Sequence, residues 1–207
     1  MITDPLIRRL CDDLRPTASG TPDPLRPALL AAVGVTATAV LAGLGTRVDL
    51  ADAMIGPVFW LKLGATAWAG GGAAATLARL GTPGARPADW APLALPPVAL
   101  LVGAALFQHG DGAAFWLGAS WRRCSLLIAL LAMPPLALLL HALGRLAPVD
   151  RRRAGLAAGI AAGGIAAALY SLSCGEVSAG FVLLWYGLGI AIPAFAGWLL
   201  GPTLLRW

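Results

Sequence analysis

Long apolar stretches without charged residues constrain the fold of this 207-residue chain more than any other feature. About 20 apolar residues in a helix cross the hydrocarbon core of a bilayer. A soluble domain of this size cannot bury so much apolar sequence. With 58% hydrophobic and only 12% charged residues, the composition lies far from that of a soluble domain. We therefore predict an all-α membrane protein.

Six such stretches predict a bundle of six transmembrane helices. Residues 25–207 should form this membrane domain, and internal prolines should kink some of the spans. Residues 1–24 are polar and rich in proline, unlike a signal peptide, so we expect them to be retained as a separate cytoplasmic segment. The predicted spans cover residues 25–44, 57–80, 90–107, 124–143, 154–172 and 178–200.

The distribution of basic residues predicts the orientation of the bundle. If the amino terminus is cytoplasmic, 11 basic residues lie at the cytoplasmic face and 4 at the outer face, as the positive-inside rule requires. Six spans then place both termini in the cytoplasm. The apolar stretches predict contact with the lipid bilayer. No basic stripe interleaved with aromatic residues occurs, so we expect no direct contact with nucleic acid.

Two cysteines are predicted to share the outer face of the membrane. Cys124 begins the fourth span, and Cys174 lies in the short loop between the fifth and sixth spans. Disulfides persist outside the cytoplasm, and the positive charges of Arg122 and Arg123 favour a reactive thiolate at Cys124. Two interpretations stay open, namely small packing residues or a pair that responds to oxidants or metals.

Glu176 and His109 are predicted at the same face and offer a carboxylate and an imidazole. Together with Cys124 and Cys174 they form a candidate site for a soft metal ion, although no C-x-x-C motif supports it. We expect no resident cofactor, and a metal ion only as a signal.

Lys62 is the only lysine in the chain and falls inside the second span. One interpretation is that its ammonium group extends to the outer interface. The other is a functional role, which is common for ionisable residues inside a membrane.

Gly155, Gly159 and Gly163 recur every four residues in the fifth span. Small residues at this spacing let helix backbones approach closely, so we predict that this span is the packing centre of the bundle. A substrate path along a groove of small residues is the alternative.

The amino-terminal segment predicts a short amphipathic helix that begins at Asp4-Pro5 and ends before Pro16. Its polar face balances arginine and aspartate, which favours a groove on a partner protein over a membrane surface. Packing against the chain's own cytoplasmic loops is the alternative. Cys11 lies on the reducing side and is assigned to packing. The apolar face comprises Leu6, Ile7, Leu10, Cys11 and Leu14.

A series of short motifs runs along essentially the whole chain. Its residues are Leu6, Ile7, Leu10, Asp13 and Leu14, then Pro57, Phe59, Trp60 and Lys62, Trp121 and Cys124, Ala147-Pro148, Cys174 and Glu176, Trp185-Tyr186, and residues 201–207. In the order of these motifs and their positions relative to the spans, the chain resembles the NrsF-type integral-membrane anti-sigma factors, a family with six spans.

The resemblance implies a non-enzymatic regulator in a bacterial inner membrane. Leu6, Ile7, Leu10, Asp13 and Leu14 would bind an extracytoplasmic-function sigma factor. Cys124 and Cys174 would sense oxidative or metal stress and trigger its release, without any small-molecule substrate.

Two other functions are compatible with the residues. A membrane thiol oxidoreductase would also place cysteines at the outer face, but it typically needs a closely spaced pair. A small transporter would need an ion path, and the predicted spans carry almost no charge apart from Lys62.

Overall fold

The computed structural model describes residues 24–81, 90–106, 112–118, 120–146, 148–176 and 178–205. Every regular element in these ranges is a helix, and they contain no strand, so the predicted all-α class is confirmed for this part of the chain. The predicted amino-terminal helix lies outside the described residues. The helices are α1 (Leu25–Leu44), α2 (Leu50–Ala53), α3 (Pro57–Leu80), α4 (Ala91–Leu106), α5 (Gly112–Leu117), α6 (Trp121–Leu143), α7 (Arg151–Tyr170) and α8 (Ala179–Leu204).

Four helices, α1, α6, α7 and α8, are long and apolar enough to cross a membrane. Helix α4 is apolar but shorter, and at 1.5 Å per residue it spans only about 24 Å. Helix α3 is long enough with 24 residues, but Lys62 and a run of small residues lower its mean hydropathy. Four membrane-capable helices are thus present among the described residues, and six spans stay a prediction.

Helix α7 lies at the centre of the bundle and contacts α1, α3, α6 and α8. Its buried side chains are alanines and glycines, with Tyr170 at the end. A Cβ atom added at Gly155 or Gly159 would overlap the backbone of α8 at Gly197 or Pro193, and one at Gly163 would crowd Ile190. The missing side chains therefore let the α7 and α8 backbones touch.

Large apolar side chains cover the outside of the other long helices. Leu30 in α1, Leu101 in α4, Leu126 in α6 and Phe195 in α8 are each more than half exposed. Water-soluble monomers rarely expose extended apolar surface of this kind. The outside of the bundle is therefore suited to lipid.

Helices α6 and α7 each begin three residues before the predicted spans 124–143 and 154–172. Both predicted spans begin directly after an arginine, but a helix does not have to begin where the apolar sequence begins. The Asp150 carboxylate caps α7 by accepting a hydrogen bond from the Arg153 backbone N–H at 3.0 Å. In α6, the Cys124 backbone N–H already donates to the Ser120 carbonyl.

Candidate functional site

Cys124 and Cys174 meet inside the bundle although 50 residues separate them. Their sulfur atoms lie 3.6 Å apart, and both thiols are free. Both side chains are buried, with exposed fractions of 0% and 5%. A disulfide has a sulfur–sulfur distance of about 2.05 Å, so a movement of about 1.5 Å would allow the bond to form.

Helix ends bring the two thiols together. Cys124 lies in the first turn of α6, whereas Cys174 follows the turn that ends α7. The backbone N–H of Cys174 donates to the carbonyl of Tyr170, at the last residue of α7, which holds Cys174 against the helix end.

Two hydroxyl groups surround the Cys124 thiol. The Ser120 Oγ lies 3.2 Å from the Cys124 Sγ, and the Tyr170 hydroxyl lies 3.4 Å from it on the other side. The buried sulfur therefore has three polar neighbours when Cys174 is included, so its proton has more than one possible acceptor.

Lys62 extends from α3 into the same site and is only 2% exposed. Its Nζ donates hydrogen bonds to the backbone carbonyls of Cys174 at 3.0 Å and Glu176 at 3.1 Å. It also lies 5.1 Å from the centre of the Tyr186 ring, within cation–π distance. The charge of Lys62 is therefore enclosed by protein beside the cysteine loop, and its place relative to the membrane interface stays a prediction.

Glu176 connects the cysteine loop to the start of α6. Its Oε1 accepts hydrogen bonds from the Ser120 backbone N–H at 3.2 Å and from the Ser120 Oγ at 3.0 Å. Ser120 therefore contacts both the carboxylate of Glu176 and the thiol of Cys124.

The proposed metal set is only partly assembled. Within the described residues no three His, Cys, Asp or Glu side chains are arranged to hold a metal ion, although Cys124 and Cys174 touch. His109 lies outside the described residues.

The environment favours the thiolate form of Cys174. The hydrogen bond with Cys124 lowers the pKa of the Cys174 thiol, and the charge of Lys62 acts in the same direction. Burial opposes both effects, but the pKa still falls to about 5, well below the ordinary value. A thiolate is the nucleophilic form of cysteine, so these contacts favour reaction at Cys174.

The loop that follows α1 is bound to the turn that precedes Cys174. The Arg47 backbone N–H donates to the Leu172 carbonyl at 3.1 Å, and the Ser173 hydroxyl donates to the Gly45 carbonyl. Gly45 has a φ of 73°, which favours glycine. The first helix is thus joined to the cysteine loop through two hydrogen bonds.

An ion pair braces this loop. The Arg47 guanidinium contacts both carboxylate oxygens of Asp49, which raises the pKa of Arg47 and lowers that of Asp49 to about 2. Asp49 is fully exposed, so solvent screens much of the attraction.

Two π turns lie at this end of the molecule. One, Val40–Leu44, ends α1 just before Gly45. The other, Val182–Tyr186, interrupts α8 and carries the Tyr186 ring that faces Lys62. Such turns often occur at functional sites. The Tyr186 hydroxyl is buried and has no hydrogen-bond partner among the described residues.

Sequence reasoning singled out the two cysteines, Lys62 and Glu176, but not Ser120 or Tyr170, and it named Tyr186 only as part of a motif. A signal existed for Ser120 and Tyr170, because Ser120 precedes Cys124 by four residues and Tyr170 precedes Cys174 by four. Residues at that spacing share one face of a helix. The predicted sigma-binding residues Leu6, Ile7, Leu10, Asp13 and Leu14 lie outside the described residues.

These features define a helical, membrane-type protein with a buried pair of free thiols at one end. The family described as Negative regulator of sigma F matches residues 10–207. The chain belongs to this family, which confirms the resemblance seen in its motifs.

Two curated relatives are anti-sigma factors by name. The chain is 40% identical to the "Anti-sigma-F factor NrsF" of Caulobacter vibrioides over an alignment of 218 residues that covers all of both chains. It is also 40% identical to the "Probable anti-sigma-F factor NrsF" of Azospira oryzae over 174 residues, 81% of each chain. No solved structure matches the chain.

Proposed function

We propose that this protein is a membrane-bound anti-sigma factor and not an enzyme. Its amino-terminal tail would retain an extracytoplasmic-function sigma factor, and its cysteine pair would trigger the release. The relatives named as anti-sigma-F factors support the regulatory role. The contact between the Cys124 and Cys174 thiols carries the sensing part of the proposal.

In this proposal all six long helices span the bacterial inner membrane, including α3 and α4. Exposed apolar side chains on α4, among them Leu101 and Leu106, support its contact with lipid. The excess of basic residues at one face supports cytoplasmic termini. The cysteine pair then lies at the outer end of the bundle, where oxidants arrive first.

The tail acts at the opposite face. Leu6, Ile7, Leu10 and Leu14 would cover an apolar groove on the sigma factor, with Asp13 at its edge. A helix of about 11 residues is marginal alone in water, so it gains its order from the partner.

The chemical step is a two-electron oxidation by a peroxide. The Cys174 thiolate attacks one oxygen of hydrogen peroxide, releases hydroxide and becomes a sulfenic acid. The Cys124 thiol then attacks this sulfur, and the oxygen leaves as water. The pair loses two electrons and one sulfur–sulfur bond forms. A soft metal ion bound between the two sulfurs would constrain the same atoms, so we include such ions among the stimuli.

The two hydrogen bonds between the α1 loop and the cysteine turn offer a route for the signal. Formation of a disulfide requires Cys174 to move toward α6. Ser173 and Leu172, which hold Gly45 and Arg47, would move with it. Helix α1 would transmit the displacement across the membrane to the tail.

A complete switch needs the two states of the membrane domain to differ by about 5.5 kcal/mol in tail binding. A single disulfide supplies energy of this order only if it remodels the contacts of α1. The proposal therefore requires movement of α1 and not merely bond formation.

The full-length protein, reconstituted in vesicles with sigma factor F of the same organism, tests the function. We expect the reduced protein to retain the sigma factor and hydrogen peroxide to lower the retained fraction at least tenfold. Cys124→Ser and Cys174→Ser should retain it with or without peroxide. Ser171→Ala is the matched control, because its hydroxyl donates to the Ala168 carbonyl within the end of α7, and it should respond like the parent.

Two results would contradict the proposal. One is a reduced, folded protein that fails to bind the sigma factor. The other is a double serine variant that still releases it on addition of peroxide.

A further inference from the structure

Lys62 is a buried cation whose role the sensing proposal has not yet used. It donates hydrogen bonds to the carbonyls of Cys174 and Glu176 and faces the Tyr186 ring. These three contacts come from the cysteine loop and from α8, whereas Lys62 belongs to α3. The side chain therefore fixes the cysteine loop to two transmembrane helices.

No carboxylate in the described residues lies within ion-pair distance of Lys62. Asp49 and Asp150 pair with arginines elsewhere. A buried charge without a counter-charge is costly. Cys174 and Cys124 attract the charge of Lys62 when their sulfur atoms are ionised. Arg47, the other cation nearby, repels it.

We propose that Lys62 is the third functional residue of the site, as the positioning residue and counter-charge of the cysteine pair. It holds the backbone at Cys174 so that the Cys174 sulfur rests against Cys124, and its charge stabilises the thiolate. This inference rests on the proposed function as a thiol sensor and assigns the residue that sets the sensor's reactivity.

The charge of Lys62 should also affect the site after the cysteine pair is oxidised. In the reduced state one ammonium faces one thiolate, so the site is close to neutral. Oxidation converts the thiolate and the thiol into an uncharged disulfide and leaves Lys62 buried without its counter-charge. Conformations in which Lys62 reaches water become more favourable, and they separate α3 from the cysteine loop.

The thiol pair is surrounded by several other titratable groups, and a pH profile must be interpreted with all of them. The low pKa of Cys174 already reflects Cys124 and Lys62. The groups that face the pair or its hydroxyl partners are Lys62 from α3, Cys124 and Arg123 from α6, Tyr170 from α7, Tyr186 from α8, Arg47 from the loop after α1, and Glu176 beside Cys174.

The rate of disulfide formation in the full-length reduced protein, in vesicles treated with hydrogen peroxide, tests the inference. It is measured at several pH values by trapping free thiols with a maleimide. Lys62→Gln keeps a hydrogen-bond donor but loses the charge, and Lys62→Arg keeps both. Thr66→Val is the matched control, because Thr66 is also buried on α3 but bonds to its own helix.

For the parent we expect a rate that falls as acid protonates the Cys174 thiolate. Because only the thiolate reacts, Lys62→Gln should oxidise at least ~10-fold more slowly at pH 7 and shift the midpoint up by about one unit or more. Lys62→Arg should stay within about threefold of the parent, and Thr66→Val should match it.

Two results would overturn the inference: a Lys62→Gln variant with the parental rate and midpoint, or a Lys62→Arg variant as slow as Lys62→Gln. If Lys62→Gln does not fold, Lys62→Met, which keeps the length of the side chain but not its charge, takes its place. It should show the same slow oxidation and raised midpoint, and a parental rate and midpoint would overturn the inference. Failure of the sensing function is a separate result, because the double serine variant in the sigma-release assay reports it without reference to Lys62.

Discussion

The cysteine site and the contact between α7 and α8 hold the bundle together by opposite means. At the cysteine site, polar side chains from four segments contact one another through hydrogen bonds and a cation–π contact. Along α7, glycines at 155 and 159 bring two backbones into direct contact, and their fit depends only on shape.

This difference indicates where the molecule can change. Oxidation of one sulfur atom alters charge and bonding for the whole cysteine site, because each of its groups contacts Cys174, Cys124 or a direct neighbour of one of them. No redox event alters the fit of Gly155 and Gly159 against α8. We therefore expect helices α7 and α8 to serve as a fixed frame and the cysteine loop and α1 to move against it.

The largest expected effect comes from adding a side chain where α7 touches α8. Gly159→Ala would place a methyl group against the Pro193 carbonyl of α8. The nearest atoms, the Pro193 carbonyl oxygen and the Ala194 Cα, belong to the backbone and cannot rotate away. We therefore expect a loss of about 3 kcal/mol of stability or failure to fold. Thermal unfolding in detergent measures this. Gly64→Ala on α3 is the control, because nothing lies within 4 Å of the added atom. An unchanged melting temperature for Gly159→Ala would show that the frame is not rigid.

The positions of the helices were largely predictable from the sequence. The predicted spans 25–44 and 57–80 coincide with α1 and α3, because proline or glycine lies close to each boundary. The prediction failed at α6 and α7, where helical hydrogen bonding continues through arginine. The centre of the bundle was also predictable, since only a helix of small residues such as α7 can contact four neighbours closely.

The geometry of the site was only partly predictable. Topology placed Cys124 and Cys174 at one face, but the 3.6 Å contact depends on the rotation of α6 about its axis. In a helix that is apolar on all sides, hydrophobic periodicity does not define that rotation. The inward direction of Lys62 was hidden for the same reason, since its acceptors are backbone carbonyls, which no side-chain pattern records.

A variant with a smaller expected effect should separate disulfide formation from release of the sigma factor. Ser173→Ala removes the hydroxyl that donates to the Gly45 carbonyl but leaves both thiols in place. Loss of one such hydrogen bond costs about 1 kcal/mol, so we expect about fivefold weaker sigma release after oxidation. The rate of disulfide formation should stay at the parental value. Both quantities are measured on the same vesicles.

Ser171→Ala provides the control for this variant. Its hydroxyl donates to the Ala168 carbonyl within the end of α7 and does not reach the α1 loop. Release should therefore stay parental. If Ser173→Ala also releases the sigma factor normally, the signal does not pass through Gly45. The hydrogen bond from Arg47 to Leu172 and the contact of α1 with α6 then remain as routes.

The smallest expected effect concerns the ion pair that braces the α1 loop. Arg47 lowers the pKa of Asp49 to about 2 in the folded protein, whereas an unfolded aspartate titrates near pH 4. A lowered pKa contributes stability that is complete above about pH 4 and is lost as the pH falls toward 2.

The melting temperature of Asp49→Asn should thus lie slightly below the parental value at pH 6. The difference should vanish near pH 2 and also shrink in about 1 M salt, since Asp49 is fully exposed and its attraction is screened. A difference that is constant across this pH range would mean that the ion pair does not brace the loop, and that the two hydrogen bonds to the cysteine turn hold it.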